Sequence, residues 1–94
     1  MRWSKEARAD LIEARRFVAE NSPRAASRLA ARILDVVEHL ERNPQMGRDG
    51  FVPGTRELVV ATTPYIVIYE VQRDHVNILG VVHGRMDRTP GRDD

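Results

Sequence analysis

The fold is decided by three neighbouring stretches, GTRELVV at residues 54–60, PYIVIYEV at 64–71 and VNILGVVHGR at 76–85. Each is rich in β-branched and aromatic residues, a composition that favours strands, here expected at about 56–60, 64–71 and 76–83. The segments between them are short enough to form antiparallel hairpins. So small a sheet cannot bury its own apolar face, so it needs a second layer.

The first half of the chain predicts two amphipathic helices that supply this layer. Ser4 and Ser22 are favourable N-caps, and Pro23 suits the first helical position, where a missing N–H costs nothing. Apolar residues then recur at helical spacing in two runs: Ala7, Leu11, Ile12, Ala14, Phe17 and Val18, and Ala26, Leu29, Ala30, Ile33, Val36, Val37 and Leu40. A short turn near Asn21 between the helices predicts an antiparallel hairpin.

The predicted fold class is therefore α+β: an N-terminal antiparallel helix hairpin packed on a small, mostly antiparallel sheet of three to four strands. Residues 1–4 are expected to form a short edge strand with Trp3 packed inward, and residues 45–54 a loop. Residues 1–88 are expected to form a single domain. The polar residues 89–94 are expected to be a disordered tail.

Composition narrows the class of protein. The chain has 94 residues, no cysteine and a net charge of +1, and 14 of its 15 basic residues are arginine. The near-neutral charge gives no electrostatic case for direct nucleic-acid binding. No signal peptide and no membrane-length apolar run is present, which predicts a cytoplasmic protein. The three histidines lack metal-ligand spacing and the glycines lack a nucleotide-binding pattern, so we expect no metal and no cofactor.

Alternation along the middle strand predicts which side of the sheet meets the helices. Tyr65, Val67 and Tyr69 share one face, while Ile66 and Ile68 share the other with Glu70. Because the glutamate marks its face as partly solvated, the tyrosine face is expected to pack against the helices. The two isoleucines would then be apolar residues on a surface, which predicts that a partner covers them.

Three polar residues are candidates for chemistry. Arg56 opens the first of the three strands, and His83 and Arg85 close the last. If the strands form a meander and these residues share one surface, a histidine between two arginines is suited to binding or cleaving a phosphodiester. The alternative is structural: strand-end histidines commonly pack or hydrogen-bond, and strand-end arginines commonly form ion pairs.

The order of these segments resembles the RelE/ParE superfamily of type II toxin–antitoxin toxins, and most closely its ParE-like, plasmid-stabilisation branch. The resemblance runs from Trp3 to about Asp87 and rests on RELVV at 56–60, on Tyr65 and Tyr69 four residues apart, and on VVHGR at 81–85. It implies a growth-inhibiting toxin that a cognate antitoxin, ParD-like with a ribbon-helix-helix domain, neutralises by wrapping a partly disordered tail across helices and sheet. It makes Ile66, Ile68, Arg56 and Arg85 antitoxin-binding candidates, and it assigns DNA contact to the antitoxin alone.

The two branches differ in their target. ParE-type members are described as inhibitors of DNA gyrase, and RelE-type members as ribosome-dependent mRNA endoribonucleases. The nuclease branch typically has a basic residue where this chain has Ile66, is lysine-rich where this chain has only Lys5, and often ends in a helix with a catalytic tyrosine that is missing after Asp87. These departures favour a protein-binding gyrase inhibitor. The alternatives are an endoribonuclease that uses Arg56, His83 and Arg85, or an inert member that retains only antitoxin binding.

Overall fold

A computed structural model describes residues 2–84 and places two helices against one five-stranded sheet. The elements are β1 (Arg2–Trp3), α1 (Lys5–Ala19), α2 (Pro23–Arg42), β2 (Arg48–Asp49), β3 (Arg56–Val59), β4 (Tyr65–Val71) and β5 (Val76–His83). The strand order is β1-β5-β4-β3-β2, with β1 parallel to β5 and every other pair antiparallel. This confirms the α+β class and the edge strand at the N-terminus. The expected end of the domain at residue 88 and the tail at 89–94 lie outside the described residues.

The sheet has one strand more than the sequence predicts, because β2 lies inside the segment that was expected to be a loop. Arg48 and Asp49 pair with Glu57 and Arg56 of β3. Two charged residues show no alternation that would mark a strand. Their pairing depends instead on the turn that follows, where the Gly50 N–H donates to the Thr55 carbonyl at 2.7 Å and returns the chain onto β3.

Both helices begin where the sequence predicts. The Ser4 hydroxyl oxygen accepts a hydrogen bond from the Ala7 N–H at 2.9 Å, and the Ser22 hydroxyl oxygen accepts one from the Ala25 N–H at 3.1 Å. The Ser4 hydroxyl also donates to the carbonyl of Leu79 in β5 at 3.3 Å, so this cap joins α1 to the sheet. Neither helix is long and apolar enough to cross a membrane.

The caps make a testable contribution to stability. Ser22→Ala is expected to lower the free energy of unfolding by about 1 kcal/mol, and Ser4→Ala by about 1–2 kcal/mol because it also removes the bond to β5. Urea unfolding followed by circular dichroism measures both. Ser27→Ala is the matched control: this exposed serine lies inside α2, so its replacement is expected to be neutral or slightly stabilising. Equal losses for all three variants would contradict the capping role.

The core forms between α2 and the predicted face of the sheet. Tyr65, Val67 and Tyr69 are buried, as predicted, with the α2 residues Ala26, Leu29, Ile33, Val37 and Leu40. Tyr69 combines packing with two hydrogen bonds: its hydroxyl donates to the Pro44 carbonyl and accepts from the Gly47 N–H, each at 2.8 Å. These bonds hold the segment that follows α2 against the middle of the sheet.

The opposite face of the sheet is less open than the sequence predicts. Ile66 is only 5% exposed, so the expectation that it is a surface residue is wrong, and Ile68 is half-buried. The reason is that β4 is the central strand. Val59 of β3 and Val82 of β5 lie opposite Ile66 on either side and share its face.

A buried carboxylate lies on this same face, next to Ile68. Glu57 is 5% exposed and pairs across β3 and β4 with Ile68. Its oxygens accept hydrogen bonds from the Arg48 guanidinium and from the Phe51 N–H, each at 3.3 Å. An ion pair and a backbone donor compensate the desolvation of the carboxylate, and they also fix the loop between β2 and β3.

Candidate protein-binding site

The structure does not bring together the three residues proposed for phosphodiester chemistry. Arg56 lies opposite Tyr69 and His83 lies opposite Tyr65, which separates them by about 13 Å along β4 at roughly 3.3 Å per residue. Because β3 and β5 both run antiparallel to β4, they run in the same direction, and the start of one and the end of the other lie at opposite ends of the sheet. The expectation that Arg56 and His83 share one site is therefore wrong. Arg85 lies outside the described residues.

Each of the two described candidates has a structural environment of its own. The Arg56 guanidinium donates to the Gly47 carbonyl at 2.7 Å and lies 4.0 Å from the Asp49 carboxylate, so it supports the loop after α2. The His83 ring packs edge-on against Tyr65 with the ring centroids 5.5 Å apart. Within residues 2–84, no group of three or more histidine, aspartate or glutamate side chains is placed to hold a metal ion.

An apolar groove runs along α1, and we name it the Phe17 groove. It consists of two adjoining depressions of about 250 and 310 Å³ that share Phe17, Tyr65 and His83. The first lies between α1 and β5 and is also lined by Asp10, Glu13, Ala14, Val81 and Val82. The second lies between the helix hairpin and the start of β4 and is also lined by Val18, Ala25, Arg28, Leu29, Arg32, Thr62, Thr63 and Pro64.

Phe17 gives this groove its apolar character because the fold leaves it exposed. The sequence predicts that Ile12 and Phe17 belong to the buried stripe of α1, but both are exposed, Phe17 by 58%. Only the small residues Ala7 and Ala14 are buried on this helix, which contacts both α2 and β5. Phe17 follows Ala14 by three residues and so lies about 60° round the helix, at the margin of that contact. The prediction for these two residues is wrong because the apolar stripe is wider than the buried face.

The floor of the groove includes a buried, neutral tyrosine. Tyr65 is buried, and burial raises the pKa of its hydroxyl above the ordinary value, so the side chain stays neutral at physiological pH. At the margin, the Asp10 carboxylate accepts a hydrogen bond from the Val81 N–H at 3.0 Å. That bond satisfies a backbone donor on the outer edge of β5, beyond the two residues that β1 covers.

The two rims of the groove carry opposite charge. Asp10 and Glu13 line the depression on the α1 side, and Arg28 and Arg32 line the depression on the α2 side. An apolar floor with a few charged groups at its edge is the usual composition of a binding surface for another protein. The sequence alone places these charges on polar helix positions, and only the packing of α1 against β5 and α2 turns them into two rims.

A second apolar surface lies at the other end of β4. The loop between β2 and β3 exposes Phe51 by 61%, next to a depression of about 460 Å³ that also includes Arg56 and Val71. Glu57 holds the Phe51 backbone in place from below. This surface and the Phe17 groove share no lining residue.

Known proteins match almost the whole chain. Residues 1–88 match the family described as ParE toxin of type II toxin-antitoxin system, parDE. The candidate toxin Y4kP of Sinorhizobium fredii is 42% identical over 83 residues, which cover 88% of this chain and 85% of that protein. Toxin RelE2 of Caulobacter vibrioides is 32% identical over 81 residues, 86% of this chain and 90% of that protein.

The fold also matches a solved structure. A chain from the chromosomal ParDE toxin–antitoxin system of P. aeruginosa superimposes with a TM-score of 0.77 and 27% sequence identity, over 87% of this chain and 91% of that one. That coverage takes in most of the helix hairpin and sheet together. The similarity therefore extends over most of the fold and is not limited to a single motif.

Proposed function

The chain belongs to the ParE toxin family of type II toxin–antitoxin systems, and on that premise we propose that it inhibits DNA gyrase in the cytoplasm and is neutralised by antitoxin binding in the Phe17 groove. A toxin of a type II system has a cognate antitoxin, so a protein partner follows from the family. The observation that carries the proposal is the likeness of both sequence and fold to ParE toxins over nearly the whole chain.

The Phe17 groove supports the location of the antitoxin. An exposed phenylalanine beside a buried tyrosine offers the kind of apolar anchor that dominates the energetics of protein interfaces. The groove replaces Ile66 as the expected contact, since that side chain is already covered by its neighbours on β3 and β5. An antitoxin segment that folds on binding would cover the apolar surface that the free toxin exposes.

The geometry argues against mRNA cleavage by Arg56 and His83 acting together. One relative is named toxin RelE2. Because RelE-type members are described as mRNA endoribonucleases, mRNA cleavage is the alternative function. Phosphodiester cleavage builds up negative charge on the phosphate in the transition state. Stabilisation of that charge requires several cationic or acid–base groups around one phosphate. Arg56 and His83 are separated by about 13 Å along β4, at roughly 3.3 Å per residue, so they cannot act on one phosphate in this arrangement.

A supercoiling assay with purified components tests the target. Addition of this protein in about tenfold molar excess over gyrase, at a concentration above Kd, is expected to reduce supercoiling of relaxed plasmid by at least about half, because most of the gyrase is then bound. Addition of the cognate antitoxin is expected to restore supercoiling.

Two other results would contradict the proposal. Unchanged supercoiling together with new cleavage sites in translated mRNA, mapped by primer extension, would favour the endoribonuclease. Unchanged supercoiling, no cleavage and no growth arrest on induction without antitoxin would favour an inert member.

A further inference from the structure

Two exposed arginines border the α2 side of the Phe17 groove. Arg28 and Arg32 are four residues apart, one turn along α2, so their Cβ atoms lie on the same face about 6 Å from each other. Both are exposed, and neither takes part in an ion pair among the residues that the structure describes. Within residues 2–84 they are a pair of uncompensated cations at the edge of an apolar floor.

The opposite rim is acidic and partly compensated. Asp10 accepts the Val81 N–H, and Glu13 lies 3.4 Å from the Arg16 guanidinium. The two rims of the groove are therefore electrostatically different, and the stronger uncompensated charge lies on the α2 side. A ligand that spans the groove therefore contacts cations at one end and carboxylates at the other.

This charge arrangement selects among ligands. A nucleic-acid backbone carries phosphate along its whole length, so it would be attracted by the arginines but repelled by Asp10 and Glu13 across the same groove. A peptide can match both rims and also place an apolar side chain on Phe17. Among the groups that an unmodified peptide offers, carboxylates pair best with guanidinium groups, through two parallel hydrogen bonds.

We propose that the antitoxin segment in the Phe17 groove is acidic on one side: it seats an apolar side chain over Phe17 and directs carboxylates at Arg28 and Arg32. This inference rests on the proposed function and adds the chemistry and orientation of the bound segment. The carboxylate pair sets which way the segment runs, because the reversed segment would place its carboxylates against Asp10 and Glu13.

Affinity measurements with the cognate antitoxin, produced from the reading frame next to the toxin gene, test the inference. The Arg28→Ala/Arg32→Ala double variant is expected to bind about 30-fold more weakly than the wild type, in part through slower association, because the two arginines lie on an exposed rim. Rising salt is expected to weaken the wild-type complex more steeply than the complex of the double variant.

Arg24→Ala is the matched control. Arg24 is also an exposed α2 arginine one turn from Arg28, but it does not line the groove, so its replacement is expected to change affinity by less than about twofold. Arg28→Lys/Arg32→Lys, which keeps the charge but loses the planar fork, is expected to fall between the wild type and the alanine double variant. Circular dichroism of all variants tests whether they remain folded.

The outcomes separate this inference from the proposed function. If the double variant binds like the wild type while Phe17→Ala loses binding, the inference of acidic side chains in the antitoxin segment is wrong, but the Phe17 groove remains the binding site. If Phe17→Ala and the double variant both bind like the wild type, the proposal that the antitoxin binds in the Phe17 groove is wrong. If Arg24→Ala weakens binding as much as the double variant, the effect is general charge attraction and the inference is overturned.

Discussion

Gly47→Ala is expected to lower the free energy of unfolding by about 3 kcal/mol, because the added methyl group would overlap atoms of β3 and β4. A Cβ at residue 47 would lie 2.6 Å from the Tyr69 hydroxyl oxygen and 2.8 Å from the Glu57 carbonyl oxygen. The carbonyl is part of the backbone of β3 and the hydroxyl donates to the Pro44 carbonyl, so relief of the clash would displace a strand or break that hydrogen bond. Chemical unfolding measures the change.

Two further variants identify the cause of that loss. Gly54→Ala adds the same methyl group to the same region, where no atom lies within 4 Å but φ is +87°, so only backbone strain of about 1 kcal/mol is expected. Tyr69→Phe removes the hydroxyl with its two hydrogen bonds and is expected to cost about 2 kcal/mol. In the Gly47→Ala/Tyr69→Phe double variant the losses should sum to less than the two singles, because one of the clashes is gone. Strict additivity would contradict the proposed contact.

Phe17→Ala is expected to weaken antitoxin binding about 100-fold, which corresponds to about 2.7 kcal/mol and is typical of an aromatic anchor at the centre of an interface. Because Phe17 is mostly exposed in the free toxin, the same change should leave the stability of the toxin nearly unaltered. Calorimetry or surface plasmon resonance with the cognate antitoxin measures the affinity, and thermal unfolding measures the stability. In cells, the variant should remain toxic when the antitoxin is co-expressed at wild-type levels.

Phe51→Ala is the matched control for this prediction. Phe51 is exposed to a similar degree but lies at the other end of β4, on a surface that shares no lining residue with the Phe17 groove. Its replacement is expected to leave antitoxin affinity within about twofold of the wild type. Equal losses for the two phenylalanines would show that the antitoxin covers both ends of the sheet, and would contradict a binding centre at Phe17.

Much of the fold is local in origin, which is why it could be predicted from the sequence. Ser4 and Ser22 cap helices through hydrogen bonds to residues three positions later, so the signal and its partner lie side by side in the chain. The alternation of Tyr65, Val67 and Tyr69 is likewise a short-range pattern, and it correctly identified the face that meets the helices. Family membership followed from the same segments in their order.

The candidate site was predicted poorly because it depends on relations between distant segments. The separation of Arg56 from His83 is set by the relative direction of β3 and β5, and the burial of Ile66 by the position of β4 at the centre of the sheet. No residue near Phe17 in the sequence signals that the helix turns this ring outward at the margin of its contact with β5.

The sequence by itself determined the two helices, the three long strands, the packed face of the sheet and the family, because periodicity, caps and turns act over a few residues. Only the tertiary structure decided which apolar side chains stay exposed and which charges meet. These depend on the order and direction of strands from opposite parts of the chain. Asp10 and Arg28 lie on the rims of one groove for that reason, since the hairpin and the sheet edge bring their helices together around Phe17.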